Sequence, residues 1–172
     1  SSHLAEDHLA SETLIHLHSD EKKIASLLGT PIDLKELFLG HACSEGYGCF
    51  PDAEIVAEQS QSGSVNVSLN QVVSSPNSNR RVITSSCGAC NADGLEELMT
   101  GLPMYSSSHP QTQHTILYQA LESMKSLQIG FAETGGMHAA ALWNHQFGLR
   151  HLKEDIGRHN AVDKTIGSGL IE

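Results

Sequence analysis

The hydrophobic positions of this chain change period along its length, and that change limits the folds open to it. Val65, Val67 and Leu69 alternate with Asn66, Ser68 and Asn70, the period of two that gives a strand one buried face. Leu117, Ala120, Leu121, Met124 and Leu127 recur at helical spacing, which predicts the best helix of the chain over 111–126 with its stripe facing the core. A chain with both periods has to cover a sheet with helices, an α/β arrangement. Residues 13–18 and 81–84 also read as strands, and 31–39 as a helix with Pro31 in its first turn and Leu34, Leu37 and Phe38 on one face. Residues 137–143 and 149–153 read as a hairpin around a turn at 144–148, and 160–170 as a helix with Asn160 near its cap. Residues 74–79 and 106–110 read as loops, and Asn91 or Asp93 can cap a helix through 95–99.

With 172 residues, 39% of them hydrophobic, the chain can build one sizeable core, so 1–172 is read as a single domain. Ten Lys and Arg against 20 Asp and Glu give a formal charge of −10 and no basic stripe for phosphates, which argues against nucleic acid as a partner. No segment approaches the roughly 20 apolar residues that cross a bilayer, and residues 1–12 are polar and acidic, so the expectation is a soluble, cytoplasmic protein without a membrane partner. Cys43, Cys49, Cys87 and Cys90 are too few for a disulfide-stapled miniature domain of this length, and are read as chemical or incidental. Most of the 11 histidines sit alone among polar neighbours and read as solvated.

Cys87-Gly88-Ala89-Cys90 falls between a predicted strand and a predicted helix start. A thiol near a helix N-terminus is more readily ionised because the backbone dipole favours the anion, and the thiolate is the nucleophile of sulfur transfer. Gly88 and Ala89 keep the loop narrow, and Cys90 is close enough to assist by exchange. The same spacing serves half of a structural zinc site, completed by Cys43 with Cys49 or by histidines, although five residues between those two is wide for a zinc knuckle. Thioredoxin-like exchange is a third reading, weakened because the strand-helix context expected at the chain start is absent. A zinc deaminase is disfavoured: alanines follow His138 where the acid/base glutamate belongs, Ser86 replaces the proline before Cys87, and the motif order is reversed.

Two further segments stand out. Thr134-Gly135-Gly136-Met137-His138 sets two glycines and a histidine at the entrance to an apolar strand, either a tight turn or a place where backbone approaches a ligand. Residues 154–164 gather both charge signs at a helix start, where free N–H groups and Arg158 can hold an anion or where ordinary ion pairs face water. Spacing alone does not separate these readings.

Taken together, Ser85-Ser86-Cys87-Gly88-Ala89-Cys90, Phe131 to His138, the Glu154 to Lys164 block, and Thr30 to Leu37 with Gly40 and Ser44-Glu45-Gly46 resemble the FdhD family of formate dehydrogenase accessory sulfurtransferases. The resemblance implies a cytidine-deaminase-like mixed sheet with packed helices and without the deaminase zinc site. It implies a sulfur carrier that takes sulfur from a cysteine desulfurase and passes it to the molybdenum bis-guanine-dinucleotide cofactor of formate dehydrogenase. Cys87 matches the persulfide-carrying cysteine and Cys90 its companion. Thr134, Gly135, Gly136, His138, Arg158, His159, Asn160 and Lys164 become candidate contacts for that cofactor, a passing client and not a permanently bound group, and no metal site is expected. A homodimer is expected. Asn91 stands where the family has glycine, His41-Ala42-Cys43 replaces a more apolar stretch, and family members continue beyond Glu172, so the expectation is a domain incomplete at its C-terminus. Two other functions stay open at this point: a non-catalytic carrier that binds the molybdenum cofactor through Gly135, Gly136, His138 and Arg158, and a zinc-stabilised structural domain.

Overall fold

The structure is a computed structural model and describes residues 8–73, 113–144 and 146–172. The predicted elements at 74–79, 81–84, 95–99 and 106–110 lie outside the described residues, as do Cys87 and Cys90.

Strands β1 (Thr13–Ser19) and β2 (Lys22–Gly29) form an antiparallel hairpin, helix α1 (Leu34–Ser44) follows, and β3 (Ile55–Gln59) and β4 (Val65–Leu69) form a second hairpin. The two hairpins join through β1 and β4, which run parallel, so the mixed sheet has the order β2-β1-β4-β3. The period-two pattern decides which face is inside: Val65, Val67 and Leu69 are buried and pair with Ile15, Leu17 and Ser19 on β1, which are buried too. Leu37, Phe38 and Ala42 of α1 cover that face. Each fully buried large side chain here contributes roughly 1.5–3 kcal/mol relative to exposure. Helix α1 begins later than predicted. Asp33 takes a left-handed conformation (φ 51) that breaks the run from Pro31, so Pro31 precedes the helix.

Beyond residue 112 come α2 (His114–Lys125), the short α3 (Ile129–Thr134), the antiparallel pair β5 (His138–Asn144) and β6 (Gly148–Asp155), and α4 (Arg158–Ile171). The predicted hairpin is present. Helix α4 packs against α1 and against β5 and β6, which ties the small sheet to the large one. Glycines allow that approach: a Cβ on Gly40 of α1 would run into the Asp163 carbonyl, and one on Gly167 of α4 into the Glu36 carbonyl. Two expectations need correction. Helix α2 is where the spacing puts it, but its stripe is not core: no residue of it is fully buried and Leu117 and Leu121 are exposed, because only an edge of Ile116, Ala120 and Met124 is half-covered. The last helix starts earlier than residue 160: Gly157 is its N-cap, and Asn160, in the first turn, sends its amide inward and not to the cap.

Candidate functional site

The segment from Asp155 to Lys164 is built around a buried carboxylate. Asp155, fully buried at the end of β6, accepts hydrogen bonds from the N–H groups of Thr30 (3.0 Å) and Gly157 (2.7 Å) and from the Asn160 amide (3.0 Å). Lys164, also fully buried, places Nζ 2.6 Å from Asp155 and donates to the Thr30 carbonyl at 2.9 Å. Asn160 donates as well to the Leu28 carbonyl at 2.7 Å. A buried charge is stable only when paired and hydrogen-bonded, and both requirements are met. The cluster locks the end of β2, the end of β6 and the first turns of α4 together. Its consequence is at the surface, where Arg158 and His159 are left exposed on the first turn of α4, the turn whose N–H groups have no partner within the helix.

The ladder register brings the second predicted segment to the same end. His138 pairs with Asp155 across the hairpin, and the residues before it form a turn in which Gly135 takes a left-handed conformation (φ 65) as the C-cap of α3. The Thr134 hydroxyl donates to the Gly130 carbonyl (2.7 Å) and accepts from the Gly136 N–H (3.2 Å). Glu154 accepts from the N–H groups of Gly130 and Phe131, both at 2.8 Å, and so seats α3 on β6. Thr134, Gly135, Gly136, His138, Arg158 and His159 therefore share one largely exposed end of the hairpin and α4, while the side chains of Asn160 and Lys164 belong to the interior beneath it. The Arg158 guanidinium and free helix N–H groups at one end can meet an anionic group.

Three arrangements escaped the sequence reading. Cys43 and Cys49 are joined by a disulfide, with Cα atoms 4.8 Å apart, which corrects their reading as chemical or incidental thiols and withdraws them, while oxidised, from a zinc site shared with Cys87 and Cys90. His41 of α1 is buried and lies 3.1 Å from Asp163 of α4, whose other carboxylate oxygen accepts from Ser44 at 2.8 Å. Lys153 of β6 reaches Asp33 at 2.9 Å and Glu36 at 3.3 Å. Burial acts to lower the Lys153 pKa, but the hydrogen bond to Asp33 and the charges of Asp33 and Glu36 outweigh it and raise the value above that of a free lysine. Partners separated by more than 100 residues leave no local pattern. The six-residue separation of the two cysteines was visible, but nothing in it distinguished a bond from two thiols.

Among the described residues no three His, Cys, Asp or Glu side chains gather as metal ligands, and no helix is long and apolar enough to cross a membrane. A cleft of about 330 Å³ opens elsewhere, between Pro31 and Leu34 and the strand ends at Thr13, Gln59 and Val65, and contains none of the predicted site residues.

A family model described as FdhD/NarQ matches residues 10–172. The chain is similar to proteins called sulfur carrier protein FdhD: 35% identical over 168 residues to that of Sulfolobus acidocaldarius, covering 95% of this chain and 62% of the relative. With that of Picrophilus torridus it shares 33% identity over 150 residues, covering 87% of this chain and 57% of the relative. It thus spans about three-fifths of the length of the curated relatives it matches. A crystal structure described as a formate dehydrogenase accessory protein from Desulfotalea psychrophila superimposes with a TM-score of 0.58 at 25% identity, over 96% of this chain and 62% of the other.

Proposed function

The chain belongs to the FdhD/NarQ family, and from that membership we propose that it is a sulfur carrier in which Cys87 holds the transferred sulfur as a persulfide and Cys90 assists by exchange. The observation that carries the proposal is that the family match takes in Cys87-Gly88-Ala89-Cys90 while the relatives are named sulfur carriers. The chemistry is redox-neutral. The Cys87 thiolate attacks the outer sulfur of a persulfide on a cysteine desulfurase, the donor's cysteine leaves as a thiolate, and Cys87 keeps the outer sulfur for an acceptor. The acceptor in this reading is the molybdenum bis-guanine-dinucleotide cofactor destined for formate dehydrogenase, which makes the protein a sulfurtransferase.

The exposed end formed by Thr134, Gly135, Gly136, His138, Arg158 and His159 is where we place the phosphates of that client. Arg158 and the first N–H groups of α4 supply positive potential there, and Gly135 and Gly136 carry no side chain to keep a ligand from the backbone. Asn160 and Lys164 act from beneath, by holding the first turns of α4 in position. A cytidine-deaminase-like topology, a cytoplasmic location and a homodimer complete the reading.

Intact-mass spectrometry tests it. After incubation with an active cysteine desulfurase and cysteine, the protein should gain the mass of one sulfur atom, lose it to a reductant, and fail to gain it as Cys87→Ala. An unchanged wild-type mass beside a turning-over desulfurase sinks the proposal.

A further inference from the structure

The Cys43–Cys49 disulfide uses neither of the cysteines proposed to carry sulfur, and its surroundings suit opening and closing. Cys49 is exposed and Cys43 half-buried, so a reductant reaches one sulfur ahead of the other. The loop between them is held independently of the bond: the N–H groups of Tyr47 and Gly48 donate to the Ala42 carbonyl at 2.8 and 3.2 Å, Gly46 N–H to the Cys43 carbonyl at 3.2 Å, and Glu45 N–H to the His41 carbonyl at 2.9 Å. These bonds keep the two sulfurs near each other after reduction. The segment also touches the helix pair on which the fold depends, since Ser44 and His41 flank Cys43 and both hold Asp163 of α4. Beneath it Ala42 and Phe38 are fully buried, so the core anchors α1 whether or not the sulfurs are joined.

We propose that Cys43 and Cys49 form a second redox site, opened by a dithiol reductant at Cys49 and closed again on oxidation without loss of the fold, and that its state tunes how firmly α1 holds α4. In the opening step one thiolate of the reductant attacks the Cys49 sulfur. The Cys43–Cys49 bond breaks, and Cys43 leaves as a thiolate that takes up a proton. The second thiol of the reductant then attacks the mixed disulfide and releases Cys49, also to be protonated. Two electrons and two protons pass to the pair, and the reductant ends as a disulfide. The proposal stands whether or not Cys87 carries sulfur.

The test uses the full chain, with iodoacetamide to label thiols and dithiothreitol as reductant. Without reductant, peptide mapping should recover Cys43 joined to Cys49. Under native conditions dithiothreitol should make both alkylatable, leave the helical circular dichroism unchanged, and lower Tm by about 5 °C through loss of the loop constraint. Incubated with oxidised glutathione, Cys43→Ser should form a mixed disulfide at Cys49, releasing one reduced glutathione, faster than Cys49→Ser does at Cys43. The double variant Cys43→Ser/Cys49→Ser should melt where the reduced protein does and no longer respond to dithiothreitol. Both cysteines alkylated before reduction, a bond that yields only in denaturant, helical signal lost on opening, or a reductant-induced shift that persists in the double variant would each overturn the proposal.

Discussion

Asp155 and Lys164 show how a residue can look like a ligand and serve as a support. In a helix start rich in charge, Lys164 is a natural candidate to meet a phosphate, yet its ammonium lies 2.6 Å from Asp155 with both side chains fully buried. Removing one member of such a pair leaves the other charged and uncompensated, which costs about 3–5 kcal/mol. Lys164→Met is therefore expected to lower the unfolding free energy by about that amount in urea titrations. Asp155→Asn added to it should recover part of the loss, because the orphan charge is then gone and the oxygen of the introduced amide can still accept from backbone N–H groups. An activity loss in Lys164→Met would then report stability, whereas a substitution at Arg158, exposed above the cluster, tests the proposed binding of the client without disturbing the buried pair.

At the scale of elements, the contact between α1 and α4 inverts the usual rule for glycine in helices. Replacing an interior helical glycine by alanine ordinarily gains about 1 kcal/mol, since alanine restricts the unfolded chain and favours the helix. Here the added methyl at Gly40 or Gly167 meets a backbone carbonyl of the facing helix, which cannot rotate away as a side chain would. The helices must separate. Gly167→Ala and Gly40→Ala should each destabilise by about 1–3 kcal/mol in thermal or urea unfolding, and a stabilising effect of either would show that the helices are not in backbone contact. Helix α2 makes the opposite point: its periodicity is real, but periodicity states which residues share a face and not whether anything covers that face.

At the scale of the whole molecule, Lys153 joins the small sheet to α1 through Asp33 and Glu36, so its titration bears on how the two parts hold together. Its pKa is raised in the folded state, which means the folded protein binds that proton more tightly than the unfolded chain. The stabilisation is complete below the unfolded value of about 10.4 and is lost as pH rises through the higher folded value. Tm measured against pH should fall more steeply on the alkaline side for the wild type than for Lys153→Met, and parallel curves would refute the coupling. How much of this was legible in the sequence depended on range. The local pattern found β4 and all of β1 but Ser19, because a strand with one buried face writes its own pattern. It missed β2, whose apolar residues do not alternate, and β3, four of whose five residues are exposed. By itself the sequence determined the mixture of helices and strands, the hairpin after residue 137 and the cysteine spacing, all of which are local. Only the tertiary structure decided that Lys164 and Asn160 face inward while Arg158 and His159 face out, that α2 carries its stripe on the surface, and that Cys43 and Cys49 are bonded. The physical reason is common to all three: each depends on which atoms lie across the fold, and Thr30, 134 residues from its partner Lys164, leaves no trace of that pairing along the chain.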